Sequence, residues 1–321
     1  MLSILKKKTG VEEDNDLESV RITSYKDVPV KEKKEFTRDK VAVVYGMGMV
    51  LDGDAPEGYI GSERIARAIR KARKDESVKA IVFRINSGGG SVTASDVIYR
   101  EMMLAAREKP VVASMGSVAA SGGLYIAAPA DTILASSSTI TGSIGVIFAL
   151  PNMEELLNEK LGITTDGVQT NEHSDIFSVS DPLNPKERAI LQNMVDKTYE
   201  SFVNLVAENR DMSFEEVDAI AGGRVWSGED ALELGLIDMI GGLESSIAVA
   251  AEMAGLDNYR LQSLPVIEDP FTMLMRELSG GAVKKAVRRE LGSDYELYKK
   301  IRDIRHIEGL QAIMPYDIEV R

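Results

Sequence analysis

The sequence predicts an α/β fold built on a parallel sheet, and three observations carry that prediction. Ala80-Ile-Val-Phe-Arg-Ile85 is an apolar, β-branched run leading straight into the glycine turn Asn86-Ser-Gly-Gly-Gly-Ser91. Val111 to Ala113 is a second, short apolar run, followed by the small-residue stretch Ser117-Val-Ala-Ala-Ser-Gly-Gly123. After each turn a helical pattern begins, with Val97, Ile98, Met102 and Ala105 in the first case and Leu124, Tyr125 and Ile126 in the second. Two successive strand–turn–helix units place two sets of free backbone N–H groups at one edge of a parallel sheet, where such sheets bind ligands.

Taken in order, residues 1 to 38 have the polar, mixed-charge composition of a linker, with one short strand expected near Val20 to Thr23. The globular part opens with the strand Lys40 to Tyr45. Ser62 is positioned to cap a helix whose Ile65, Ile69 and Ala72 share a face. Beyond the two glycine turns, Asp131 to Ala135 reads as a strand and Ser136 to Gly145 as a polar loop. Asn152 to Leu161 is expected to be a helix with Leu156 and Leu157 inward, and Thr164 to Ser180 to be irregular.

Asn184-Pro185 opens a long helix to about Asn209, with Pro at its first turn and Ile190, Met194, Thr198, Phe202 and Leu205 at helical spacing. Ser213 and Glu216 form a capping-box pattern, Trp226 to Ala231 starts a further helix, and Leu236 to Met239 reads as a short strand. Between about Pro270 and His306, Lys284, Lys285, Arg288, Arg289, Lys299 and Lys300 alternate with apolar residues. That pair of basic amphipathic helices suits a neighbouring subunit or an anionic membrane surface. The division implied is a linker-like segment 1–38, an α/β domain 39–258 and a basic helical extension 259–321. Alternating strands and helices followed by mostly helices fit an α/β spiral with a helical layer.

Composition narrows the function. The chain has 321 residues, 44% hydrophobic and 28% charged, and a net charge of −13 that argues against nucleic acid, whose phosphates need a basic partner. With no cysteine there is no disulfide, thiolate nucleophile or cysteine metal site. Two histidines, His173 and His306, leave no material for a His-rich metal centre, so no metal or cofactor is expected. No window approaches the ~18 apolar residues of a membrane helix, and Met1 to Leu5 is too short for a signal-peptide core.

The chemistry gathers at Ser121. A serine between strand and helix lies near unpaired N–H groups able to hold a developing oxyanion, and the flanking glycines let an extended peptide approach closely. Taken alone, Ala120-Ser-Gly-Gly123 is as ordinary as any tight turn into a helix; the second glycine turn gives it weight.

Asn86-Ser-Gly-Gly-Gly-Ser-Val-Thr-Ala-Ser95, Ser117-Val-Ala-Ala-Ser-Gly-Gly-Leu-Tyr125 and Thr141-Gly-Ser-Ile-Gly-Val146 resemble the signal peptide peptidase A (protease IV) family. The likeness continues through Thr165-Asp-Gly-Val168 and Gly223-Arg-Val-Trp-Ser-Gly228 to Gly235-Leu-Ile-Asp238. These are oligomeric serine–lysine peptidases of the bacterial envelope on the fold shared by ClpP and crotonase. The resemblance implies a ClpP/crotonase-like spiral, Ser121 as nucleophile, and the backbone N–H groups of Gly89 and Gly122 as oxyanion donors. Ser87, Gly88, Gly90, Ser143, Leu124 and Ile147 fall where a substrate groove is expected, with Leu124, Ile147 or Phe148 lining an apolar pocket. The implied substrates are cleaved signal peptides or other extended peptides, paired along the main chain.

A serine hydroxyl needs a proton acceptor. In single-lobed members that acceptor is a lysine whose position here is Ser174, in Asn171-Glu-His-Ser-Asp175. Two-lobed members place the lysine in the first lobe and the serine in the second. The resemblance therefore implies that this chain is the second half, completed by an N-terminal lobe or by neighbouring subunits of a membrane-associated homo-oligomer. His173 is the candidate for a substitute base, while Lys109, Lys160, Lys186 and Lys197 read as solvated. Two other readings stay open: a non-catalytic half that completes an assembly, and a crotonase-like acyl-CoA enzyme whose glycine N–H pair holds a thioester enolate.

Overall fold

The computed structural model describes residues 37–265 and 309–314, together with positions 6, 10, 12 and 290. The chain divides into two units, Met1–Phe36 and Thr37–Arg321. The strand expected near Val20 to Thr23 and the basic helices expected between 270 and 306 lie outside the described residues.

In chain order the described elements begin with β1 (Lys40–Met47), β2 (Val50–Leu51), β3 (Ile60–Gly61), α1 (Ser62–Lys74), β4 (Val78–Ser87), β5 (Gly89–Ser91) and α2 (Val92–Ala106). Next come β6 (Val111–Ala120), α3 (Gly122–Ala127), β7 (Thr132–Ala135), β8 (Ile140–Gly142), β9 (Ile147–Ala149) and a π-helical turn, Leu156–Lys160. The remainder is α4 (Pro185–Asn209), α5 (Phe214–Ile220), β10 (Val225–Ser227), α6 (Gly228–Glu233), β11 (Met239–Ile240), α7 (Leu243–Met253), β12 (Arg260–Leu264) and β13 (Gly309–Ile313).

The main sheet runs β10-β8-β6-β4-β1-β12, and all its pairings but β10–β8 are parallel. β6 pairs on one side with β7 through Val112–Ser114 and then with β8 through Val118–Ala120. Its alternating residues serve two cores. Ala42, Val44, Ile81, Phe83, Ile85, Val111, Ala113 and Met115 meet the buried faces of α1 and α2, whereas Val41, Val43, Ala80, Val82 and Val112 join Ala250 and Ala251 of α7. A sheet covered on both faces explains why these strands are apolar throughout instead of alternating with polar residues.

The second sheet, β3-β2-β5-β13-β9, meets the first where the chain leaves β4 at Ser87 and enters β5 at Gly89.

Several expectations shift. β6 spans ten residues, far beyond the short run at Val111 to Ala113, because small residues continue its pairing as far as Ala120. Gly61, and not Ser62, holds the cap position of α1; the Ser62 hydroxyl instead accepts a hydrogen bond from the Gly53 N–H at 3.1 Å. The polar stretch 136–145 contains β8. The helix expected over 152–161 shrinks to little more than the π-helical turn, with Leu156 50% exposed, since other elements already cover both sheet faces. α4 follows the expected span and is capped by Asn184 and Glu187, yet Ile190 and Met194 are exposed while Phe202 and Leu205 are buried. β12 pairs with β1, so the main sheet extends past the expected boundary at 258.

Candidate active site

The end of β6 places Ser121. Its N–H donates to the Gly142 carbonyl of β8 at 2.8 Å, and Gly122 immediately begins α3. Held from both sides, Ser121 adopts φ 53° and ψ −116°. For a residue with a Cβ such a backbone costs about 1–3 kcal/mol and persists only where its surroundings impose it. A serine on a strained strand-to-helix turn is the geometry that presents a hydrolase nucleophile. Ser121 is fully buried, and among the described residues its hydroxyl has no hydrogen-bond partner. Leaving a buried hydroxyl unpaired costs about 1–3 kcal/mol more, so two unfavourable features meet at one side chain.

The second turn comes to the same place. Gly89 has φ +100°, open to glycine but strained for other residues, and a Cβ there would lie 2.7 Å from the Gly122 nitrogen and 2.0 Å from the Ala312 carbonyl oxygen. A Cβ on Gly122 would in turn sit 3.0 Å from the Gly89 Cα. The two glycine-bearing bends therefore touch, which requires both to lack side chains. The Gly89 N–H donates to the Ser87 hydroxyl at 3.1 Å.

The remaining predicted groove residues separate. Ser87 is buried, and the Gly88 carbonyl accepts from the Met314 N–H at 2.8 Å. Gly90 pairs with Val50 on one side and Ala312 on the other. Ser143 is buried at φ 48°, and its N–H donates to the Arg224 carbonyl. Ser91 caps α2 by accepting from the Ala94 N–H and donates to Asp52. Ile147 lies in β9 opposite Gln311 and is 42% exposed.

Leu124 is part of the main core. The neighbouring cavity, about 340 Å³, is instead lined by Val92, Tyr125, Val146, Phe202 and Ala312, with Asp96 and Lys197 among its polar members. Helical geometry explains the exchange: one residue along the short α3, the lining face belongs to Tyr125. Its ring packs on Tyr99 and Phe202 at centroid distances of 5.6 and 5.0 Å, and its hydroxyl bonds Asp96 at 3.1 Å. Burial first, and the Asp96 carboxylate second, push the Tyr125 phenol far above its ordinary pKa.

The candidate bases do not reach Ser121 Oγ among the described residues. His173 contacts the Glu187 carboxylate through Nδ1 at 2.9 Å. That hydrogen bond, reinforced by the Asn184 N–H, holds the Glu187 carboxyl below its ordinary pKa. Ser174 sits in the same turn, its N–H donating to Asn171. Lys109 donates to the carbonyls of Ala72 and Asp75 and is partly buried, which lowers its pKa; the expectation of a solvated lysine fails there. Lys186 pairs with Glu172 and Lys160 is exposed. Lys197 is exposed and at the same time lines the cavity. Among the described residues no three His, Cys, Asp or Glu side chains gather as metal ligands.

Sequence reasoning missed Asp96 and β13 at this site. The spacing of Asp96 from Tyr125 offers no signal, and the run Leu310-Gln-Ala-Ile-Met314 is too short and too uniformly apolar to separate a strand from a helix.

The Peptidase family S49 model matches residues 104–257 and the Clp protease model residues 61–145, which together span both glycine turns. The chain is 42% identical to Protease 4 of Salmonella typhi over 81% of its length and 34% identical to the chloroplastic serine protease SPPA of Arabidopsis thaliana over 98%. It covers 42% and 46% of those two proteins, about half the length of each. A putative protease of Synechocystis is 39% identical over 77% of this chain and is itself covered to 86%. With that coverage, and with a ClpP-like arrangement of sheets and turns around Ser121, the chain belongs to peptidase family S49.

Proposed function

We propose that this chain is the nucleophile-bearing part of a serine endopeptidase that cuts extended peptides, including cleaved signal peptides. The observation that carries the reading is Ser121, strained, buried and with an unpartnered hydroxyl, beside the contacting turns of Gly89 and Gly122. In the proposed reaction Ser121 Oγ attacks the peptide carbonyl. The N–H groups of Gly89 and Gly122 stabilise the resulting oxyanion, with Gly89 releasing its bond to Ser87. The proton passes to a neutral lysine contributed by another lobe or subunit, which returns it to the leaving amine.

Large apolar side chains exposed between Ile147 and Met194, such as Leu161 at 59% and Phe177 at 59%, support an assembly whose partner covers this surface. Association with a membrane surface belongs to the same proposal. No described helix is long and apolar enough to cross a membrane.

A fluorophosphonate probe tests the reading on the assembly that includes the lysine-bearing partner. Labelling that disappears in Ser121→Ala is expected; labelling of both forms, or of neither, overturns it. The unpartnered Ser121 hydroxyl also suits a second reading, a non-catalytic half of the assembly, and the same experiment separates the two.

A further inference from the structure

The strand that ends at the serine does not keep one register with its neighbour. β4 and β6 run parallel with Ile81 beside Val111 and Ile85 beside Met115, and then with Ser87 beside Ala119. A single residue, Asn86, separates the last two pairings on β4, whereas Gly116, Ser117 and Val118 separate them on β6. Had the first register continued, Ser117 would stand beside Ser87. The shift puts Ala119 there and draws Ser121 back by two residues, about 6.6 Å at the ~3.3 Å rise of a parallel strand. Ser121 thereby meets the glycine turn, where a Cβ on Gly89 would lie 2.7 Å from the Gly122 nitrogen.

Burial alone does not impose this offset. A slip of one residue turns every side chain to the other face of a sheet, but a slip of two restores the pattern. Something else must hold the two extra residues, and the bonds at the bulge are made by side chains. Asn86 Oδ1 accepts from the Val118 N–H at 3.1 Å, and the Thr139 hydroxyl donates to the Gly116 carbonyl at 2.8 Å. The Arg84 guanidinium donates to the Met115 carbonyl at 2.6 Å and to the Ser114 hydroxyl at 3.1 Å. A bulge takes backbone groups out of the ladder, and side chains from β4 and from the residue before β8 take them up. Asn86 lies directly on the bulge: a Cβ on Gly116 would fall 2.6 Å from its Oδ1 and 2.9 Å from its Cβ. Only glycine fits beneath it.

We propose that Asn86 is a positioning residue for the reaction: its amide oxygen, supported by Thr139 and Arg84, fixes the two-residue offset of β6 that sets Ser121 against the Gly89 turn. Its effect on turnover rests on the peptidase reading, while its effect on register does not. Asn86 acts through the backbone of β6, so its removal displaces the nucleophile and leaves Gly89–Ser91 in place.

Two substitutions of similar size separate the acceptor from the volume. Asn86→Leu removes the oxygen that holds Val118, and Asn86→Asp keeps one. In the assembly that includes the lysine-bearing partner, Asn86→Leu should lower kcat on the order of 100-fold with KM within about threefold, the scale of a ~1 Å misplacement. Asn86→Asp should lose less than about tenfold. In the full chain alone, amide exchange at Val118 and Ser121 should rise about tenfold in Asn86→Leu, the equivalent of one lost hydrogen bond, and should rise less in Asn86→Asp.

Equal losses of kcat in the two variants, a kcat that holds in Asn86→Leu, or a loss confined to KM overturns the proposal. If Asn86→Leu fails to fold, Thr139→Val removes the hydroxyl bonded to Gly116 at nearly the same size. It should lower kcat about tenfold, and full turnover there overturns the proposal equally. An unsubstituted assembly that never labels with fluorophosphonate removes the peptidase reading. Unchanged exchange at Val118 and Ser121 in Asn86→Leu removes the register lock, whether or not the assembly labels.

Discussion

The serine turn and the stretch from Ile147 to Met194 differ in how far each satisfies itself. From Ala119 to Ala130 every residue is buried, in a lattice of strand pairings and touching glycine turns. In the other stretch Val168 is 96% exposed, and Leu156, Leu161 and Phe177 are each at least half exposed. Apart from the Ser121 hydroxyl, the first region is packed within the chain. The second exposes apolar surface of the kind that ordinarily marks an interface, and it also contains Ser174, where the family's lysine is expected. Under the proposed function, one partner over this stretch would supply both the base and the cover for that apolar surface.

The largest expected effect tests whether the packed region holds the chemistry. In the assembly carrying the lysine, Ser121→Ala should reduce peptide hydrolysis on the order of 10⁶-fold, the scale on which a serine nucleophile fails when removed. Retained hydrolysis would break the comparison at its centre. Gly89→Ala should follow, with a loss of about 10³-fold or more, since removing one oxyanion donor alone costs about 10²–10³-fold. Its Cβ would also press on the Gly122 nitrogen. Gly88→Ala, where a Cβ meets nothing nearer than 3.9 Å, should lose less, and equal losses at both positions would show that turn geometry is not the cause.

A pair of apolar truncations sharpens the contrast in stability. Phe202 is 1% exposed and stacks near Tyr125, so Phe202→Ala should cost about 3–5 kcal/mol in denaturant unfolding. Leu156→Ala should change the isolated chain by less than about 0.5 kcal/mol and instead weaken assembly, read by static light scattering across a dilution series. Comparable destabilisation by the two would mean that the exposed stretch is already packed.

The same division governs what could be read from sequence. Strands β1, β4 and the first residues of β6 are legible because burial on both faces leaves an apolar run, and the Asn184-Pro185 start of α4 and the capping box of α5 are legible because helix starts are local. Ser121 and Gly89 stood out because a tight turn and a close approach demand small residues at fixed positions. Leu156 and Leu157 misled: helical spacing indicates an apolar face but not whether anything covers it. Tyr125 replaced Leu124 in the cavity because lining depends on the rotation of a six-residue helix, which no pattern that short encodes. β13 escapes the sequence because its partners, Gly89–Ser91 and Ile147–Ala149, lie about two thirds and about half of the chain away and pair through backbone atoms that every residue shares.

The smallest effect concerns a tied point within the exposed stretch. Glu187 is buried, accepts from the Asn184 N–H at 2.9 Å and contacts His173, joining the turn that contains Ser174 to the start of α4. These bonds hold its carboxyl below the ordinary value of about 4.3. A depressed folded-state pKa contributes stability that is present above the unfolded value and is lost as pH falls through the folded one. Glu187→Gln should therefore speed amide exchange at Ser174 and Ile176 near neutral pH, and the two forms should converge once the solution is acid enough to protonate Glu187. A difference that persists undiminished into acid would assign the effect to shape rather than charge. The turn would then owe its position to packing against α4, independent of the charge of this carboxylate.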